Sequence, residues 1–595
     1  MGIAVLLVAS VAVGGEVVLL PGEVTLRGAK GSQRFLVEER EAGNLVGDRT
    51  GKAAFATEDP KVATVTADGV VTPRGDGETT LTVIADGRVA RAKVHVQGFA
   101  SDEPWSFTNH VLAVMTKTGC NSGACHGAAA GKNGFRLTLR GYGPEIDYAT
   151  LTRQALGRRI VKTAPAESLI LLKPSGALEH GGGVKLEPGS LEYRVIAEWI
   201  AAGMPGPKSS DAKVTKLATF PPAARLKPGD RQQVLVQATY SDGRIADVTR
   251  WAKFGSTDES VAKVDDSGSI KVEGSGEAAI TVWFASHVEA VTITSPFKGP
   301  ADAKVFAAAP RNNPIDEKNL AKLQSLGIPP SPDAGDLAFL RRAFLDTTGT
   351  LPPASEVTAF LADKDIQKRS KLIERLLSSP EFVDYWAYKW SDLLLVSTAK
   401  LPAPAMWSFY RFVRQSVAEN MPWDQFARRV VTARGNTLKE GAANFYVLHR
   451  DPIELTENTS MAFLGLSLTC ARCHNHPLEK WTQDQYYGFA NLFARVQLKD
   501  GESAGDVEVA AASEGDVRQP RTGVVLAPQA LDAEPVPIEA RGDRREALAQ
   551  WLARPDNPYF ARALINRVWR NYFGRGLIDP EDDLRATNPP SDREL

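Results

Sequence analysis

Cysteine is scarce here: 595 residues contain four. All four fall in two short motifs, so none is left to build a disulfide framework. An excess of one charge is also missing. The formal net charge of -1 gives no global pull toward nucleic acid or an anionic membrane. Long apolar runs are absent after the opening. The stretch Gly2-Ile3-Ala4-Val5-Leu6-Leu7-Val8-Ala9, continuing to Gly15, is too short to span a bilayer and has the character of a secretory signal's apolar core. Ala12-Val13-Gly14 offers small residues at cleavage-like spacing, although a basic leader is lacking. Residues 1–15 therefore read as a signal-like segment. The chain is expected to be exported, to the periplasm, the cell surface or the extracellular space, with no stable membrane span. Apolar content of 43% and charged content of 24% are ordinary for soluble globular protein. The length allows about four domains.

The two cysteine motifs each end in Cys-His. The first is Cys120-Asn121-Ser122-Gly123-Ala124-Cys125-His126, and the second is Cys470-Ala471-Arg472-Cys473-His474. The spacing of the second reads as c-type haem attachment, with two thioethers to the porphyrin and the adjacent histidine on the iron. The first has four residues between its cysteines, a weaker signal when taken alone. Two motifs that use every thiol point to two haem c groups held by Cys120, Cys125, Cys470 and Cys473, with His126 and His474 as metal ligands. The competing readings are a structural zinc site, which needs four protein ligands, and a redox dithiol. Neither motif has an obvious second Cys/His pair nearby, and no βαβ context flanks them.

A repeat appears when the chain is slid against itself. Residues 55–83 and 254–282 align without a gap, bringing Val62, Val65, Gly69, Gly75, Gly77, Thr82 and Val83 onto Val261, Val264, Gly268, Gly274, Gly276, Thr281 and Val282. Alternating β-branched runs between Asp-Gly and Gly-x-Gly turns predict an antiparallel sandwich in each copy. Both copies resemble bacterial Ig-like group 2 domains, over 16–98 and 213–297. That resemblance implies a cell-envelope or surface setting and carries no catalytic residues.

Between the sandwiches, 104–207 reads as helical at both ends. Phe107, Val111 and Val114 precede the first motif at helical spacing. Ser190 caps a second helix with the stripe Leu191, Val195, Ile196, Trp199 and Ile200, stopped by Gly203 and Pro205. After a Pro-rich linker near 299–314, residues 315–495 are mainly helical in pattern. Thr482 and Gln485 have capping-box spacing ahead of Tyr486, Phe489, Ala490 and Phe493. Residues 500–540 lack periodicity and read as a loose or extended connection. A last helix is expected over 558–573, before Gly574.

The stretch CNSGACHGAAAGKNGFRLTLRGYGPEIDY is similar to the cytochrome c-like modules of large secreted planctomycete proteins. CARCHNHPLEKWTQDQYYGFANLFARV resembles their second cytochrome-type domain, and the ending from Asn557 resembles the opening of a third module, within which the chain is expected to break off. The resemblance implies a multidomain fold: two all-β Ig-like sandwiches, an α cytochrome c-like domain at 104–207, a mainly α cytochrome-type domain at 315–495 and a partial α module at 540–595. In small cytochromes c the distal ligand is often a loop methionine. Here the corresponding loop is Glu179-His180-Gly181-Gly182-Gly183, so His180 is the nominee, ahead of Met204. Arg158, Arg159 and Lys173 are candidates for propionate pairing. For the second iron, His449, Met461 and His476 are weighed and the ligand is left open. The functional expectation is an exported dihaem electron-transfer protein with Ig-like spacers, served by a redox partner protein and touching cell-envelope polysaccharide. The alternatives are a haem oxidoreductase or peroxidase, and a surface polysaccharide-binding protein with redox modules.

Overall fold

The computed structural model describes residues 15–101, 104–299, 302–476 and 479–595. The signal-like segment lies outside them except for Gly15. The chain divides into two compact units, the first running to Pro330 and the second from Ser331 to Glu594 apart from Pro477–Glu479.

In the first unit both repeats are β-sandwiches with the same strand order. One three-stranded sheet joins Glu16–Leu20, Leu36–Glu41 and Asn44–Asp48; its counterpart joins Val214–Phe220, Leu235–Tyr240 and Ile245–Asp247. The facing four-stranded sheet joins Glu23–Arg27, Arg88–Gln97, Gly77–Ala85 and Ala54–Thr57, with the long hairpin in the middle. Its counterpart joins Ala223–Arg225, His287–Ser295, Gly276–Phe284 and Lys253–Ser256. Alternation decides which side chains go inside: along Gly77–Ala85, Leu81, Val83 and Ala85 are buried, while Ile84 points out. The shared glycines at 69 and 268 sit at φ +79 and +81, and a Cβ there would meet the Phe55 and Phe254 rings at 3.0 and 2.8 Å. Only glycine fits both demands.

The first sandwich closes a core of its own around Phe35, Val37, Val71, Val83 and Val94. The second does not stand alone. Its core is continuous with that of 104–207, where Phe107, Val111, Leu171, Val195 and Trp199 join Val236, Ile280 and Ile293. Polar bonds fasten the same seam. Arg250 grips Glu192 through two bonds of 2.6 and 2.7 Å, Lys117 donates to the Ala252 carbonyl at 2.6 Å, and Arg140 lies 4.9 Å over the Trp283 ring. The expected helix after Ser190 forms as Leu191–Ala201, its first turn held by the Ser190 hydroxyl accepting from the Tyr193 amide.

The two sandwiches meet across a buried polar seam. The Arg34 amide donates to Asp247 Oδ2 at 3.0 Å, and the Gln233 amide donates to Asp48 Oδ2 at 3.0 Å. Gln237 Nε2 donates to Gln33 Oε1 at 2.7 Å, and Gln232 Nε2 donates to Glu38 Oε1 at 2.6 Å. Burial, helped by neighbouring Asp48 and opposed by the bond from Gln232, raises the pKa of Glu38 to about 9. Burial also pushes Asp247 upward, against the bonds it accepts from Thr249 and from the Arg34 amide.

The second unit is helical, from Asp336–Thr348 to Phe560–Phe573, around an aromatic-rich core that includes Phe409, Phe445, Tyr446, Phe463, Trp481, Phe489 and Phe493. The capping box expected at Thr482 and Gln485 is present and starts Gln483–Ala490. Residues 500–540 are not loose. A hairpin of Val496–Asp500 and Val507–Ala511 opens this stretch, and side chains from outside it then take its carbonyls. Asn491 Nδ2 donates to Val517 and Leu526, and Arg495 donates to Ile538 and Ala540. Polar capture of the backbone replaces the periodicity that the sequence lacks.

In the folded chain Glu38 keeps a proton that the unfolded chain releases in the ordinary carboxylate range. Its contribution to stability therefore declines as pH rises from that range toward about 9 and then levels off. Glu38→Gln removes this slope. The melting temperature of the variant relative to the parent is expected to climb steadily from about pH 5 to about pH 9, measured by calorimetry; a pH-independent difference contradicts the assignment.

Candidate functional site

The first cysteine motif follows the short helix Leu112–Lys117 and is folded as consecutive turns. The Cys125 amide donates to Ser122 O at 3.0 Å, the His126 amide to Cys120 O at 3.0 Å and the Leu137 amide to His126 O at 2.8 Å. Cys120 is half-buried with Sγ 3.3 Å from Thr118 Oγ1, and burial raises its pKa. His126 Nδ1 is 3.1 Å from the Phe135 carbonyl, and His180 Nδ1 is 2.8 Å from the Gly183 carbonyl. A carbonyl only accepts, so in each ring Nδ1 is the donor. The two rings lie 6.3 Å apart between centroids and within 16° of parallel. Burial lowers the His126 pKa, with a smaller push from His180. The structure thus brings together the two histidines of this module that the sequence singles out. Met204 goes elsewhere. It is buried in the core, and its carbonyl accepts from Tyr148 at 2.9 Å. Arg159 packs 4.4 Å over Phe135, and Lys173 donates to the Glu179 carbonyl at 3.0 Å.

The second motif lies on the short turn Thr469–Arg472, held against Gln483–Ala490 by Gln483 Nε2 donating to Arg472 O at 2.9 Å. Cys470 and Cys473 are both exposed. His474 Nδ1 is 2.7 Å from the carbonyl of its own neighbour Asn475. His476 is buried, with its amide on Trp481 O at 2.8 Å, and Met461 lies on the wound segment Ser460–Leu464.

His449 stands apart from both motifs. It follows Asn444–Leu448, is 1% exposed, and packs edge-on 5.0 Å from Phe445. Neither ring nitrogen has a hydrogen-bond partner among the described residues. Burial, reinforced by Lys400, lowers its pKa to about 4.

The expectation of two haem c groups is corrected. Among the described residues, no three His, Cys, Asp or Glu side chains are grouped to hold a metal ion. A spacing motif specifies attachment only where its loop directs thiols and imidazole to one enclosed place. Here Cys470 and Cys473 face outward, and His474 is turned onto its neighbour's carbonyl. Sequence reading also missed the polar seam between the sandwiches. Its signal was within reach, because Asp48-Arg49-Thr50 and Asp247-Val248-Thr249 share a pattern at the repeat's own offset.

Residues 314–498 match a family model described as PSCyt2, protein of unknown function (DUF1549), and residues 544–595 match PSD1, protein of unknown function (DUF1553). Neither description is of a cytochrome c. With the haems fall the cytochrome c identification of 104–207 and 315–495, the electron-transfer and peroxidase readings and the redox-linked polysaccharide reading. No curated protein is similar enough to count as a match. Among solved structures, the S-layer protein SbsC, domains 5-6, is 11% identical, with 48% of this chain and 99% of that chain covered at a TM-score of 0.21. SbsC domains 4-9 is 13% identical, with 48% of this chain and 31% of that chain covered at 0.14. At such scores the likeness bears on neither fold nor function. No described helix is long and apolar enough to cross a membrane.

An orphaned imidazole in a core costs stability. His449→Leu is expected to stabilise the protein by about 1–3 kcal/mol at neutral pH. The unfolded chain protonates this histidine near its usual pKa and the folded chain only near about 4, so the parent loses stability as pH falls through that window. The variant should lose less. Denaturant unfolding at about pH 7 and about pH 5 measures both effects, and a destabilised variant contradicts them.

Proposed function

We propose that this chain is a structural protein of the cell surface or extracellular space, whose first unit is a stiff brace. The observation that carries this reading is the buried seam in which Asp48 and Asp247 each accept a backbone amide of the other sandwich. Such a seam fixes one sandwich against the other, because sliding them out of register leaves buried donors and acceptors unpaired at about 1–3 kcal/mol each. The module at 104–207 extends the brace through the core it shares with the second sandwich. The apolar, export-type opening of the sequence supports the external setting. Cell-envelope polysaccharide is the partner class this role implies.

Protease shaving of intact cells expressing the tagged chain tests the setting. The chain should be cleaved while a cytoplasmic marker survives. A chain that stays protected until lysis overturns the proposal.

A further inference from the structure

The contacts between the sandwiches come in related pairs. Gln33, Arg34, Glu38 and Asp48 of the first repeat correspond to Gln232, Gln233, Gln237 and Asp247 of the second, all at the offset that aligns Phe55 with Phe254. The bond from the Arg34 amide to Asp247 is the counterpart of the bond from the Gln233 amide to Asp48, and both measure 3.0 Å. The pair Gln237–Gln33 at 2.7 Å is the counterpart of Glu38–Gln232 at 2.6 Å. Packing follows the same rule. Asn44–Asp48 lies against Ala223–Arg225, and Ile245–Asp247 lies against Glu23–Arg27. Position i of one repeat meets position j of the other, and j meets i. That is an isologous contact, the arrangement of a two-fold symmetric dimer, made here within one chain.

An isologous face carries its own complement. Each repeat presents an aspartate acceptor, a backbone donor at the position after a glutamine, and that glutamine's side-chain amide. Nothing in this set requires one partner to be the first repeat and the other the second. The pair that differs runs its bond the other way: Gln237 donates to Gln33, whereas Glu38, at the matching position, accepts from Gln232, so the glutamine at 33 or 232 serves as acceptor in one pair and donor in the other. We infer that this face is a like-on-like recognition surface, whose partner between molecules is the same repeat of a second copy of this chain. Within one chain the two faces satisfy each other. When a repeat is deprived of its intramolecular partner, a repeat from another copy fits the same seat. The inference rests on the seam's symmetry and not on the proposed setting of the protein.

The first sandwich, residues 15–101, is suited to the test because every residue of its core lies within 17–96. Sedimentation of this fragment should show a concentration-dependent dimer. Gln33→Ala combined with Asp48→Ala should weaken that dimer at least about tenfold while leaving its β-type circular dichroism unchanged. A folded fragment that stays monomeric, or a dimer indifferent to the double substitution, overturns the inference. The intact chain supplies a second readout. Double-mutant cycles on Glu38→Ala with Gln232→Ala, and on Gln33→Ala with Gln237→Ala, should give stability couplings of the same sign. Coupling in one pair alone overturns it as well.

Discussion

The exchange of aspartate for backbone amide between the two sandwiches is the constraint on which the first unit depends. Gln33–Arg34 and Arg231–Gln233 are the edge strands of a further three-stranded sheet in each sandwich, and such an edge must be paired, covered or charged. Here the Arg34 and Gln233 amides are taken by the other repeat's Asp247 and Asp48. Those aspartates are themselves fixed. Asp48 Oδ1 accepts from the Thr50 amide at 2.8 Å, and Asp247 Oδ1 from the Thr249 amide at 2.9 Å. One carboxylate therefore closes a turn in its own repeat and an edge in the other. Because the second sandwich shares its core with 104–207, the seam also sets where that helical module sits.

The second unit solves a similar problem with arginine. Its long irregular stretch is pinned by side chains that reach into the core. Arg544, 3% exposed, donates to the carbonyls of Ile538 and Gly515 and pairs with Asp516 at 2.9 Å. Arg545 is fully buried, paired with Asp543 and lying 4.7 Å over the Tyr446 ring. Both charges are matched and hydrogen-bonded, the condition under which burial of arginine is tolerated. His449 lies in the same unit with neither ring nitrogen partnered among the described residues, and Trp481 Nε1 and Arg544 Nε are likewise without a hydrogen-bond partner there.

Much of the local fold was legible in the sequence. The repeat spacing, the turn glycines at 69 and 268, the cap at Ser190 and the capping box at Thr482 all mark elements that form. These features act over a few residues, so a short pattern carries the whole cause. What was not legible depends on distant groups. Whether Cys470 and Cys473 face a ligand or solvent is set by how the turn at Thr469–Arg472 lies on Gln483–Ala490, which spacing alone does not encode. The compactness of 500–540 depends on donors from Asn491 and Arg495, outside the segment itself. The seam between the sandwiches depends on residues about two hundred positions apart, all of them ahead of the segments 55–83 and 254–282 over which the repeat aligns.

Native-state hydrogen exchange at two backbone amides tests the account most directly. If the sandwiches are one rigid body, the amides of Arg34 and Gln233 exchange only through the global opening that also frees Leu81 and Ile280 in the sandwich cores. The account predicts the same opening free energy for both amides, and a parallel fall in both when either Asp48 or Asp247 is replaced by alanine. Exchange of either amide at the rate of a free loop, with the cores still protected, would show that the sandwiches move independently and would contradict it.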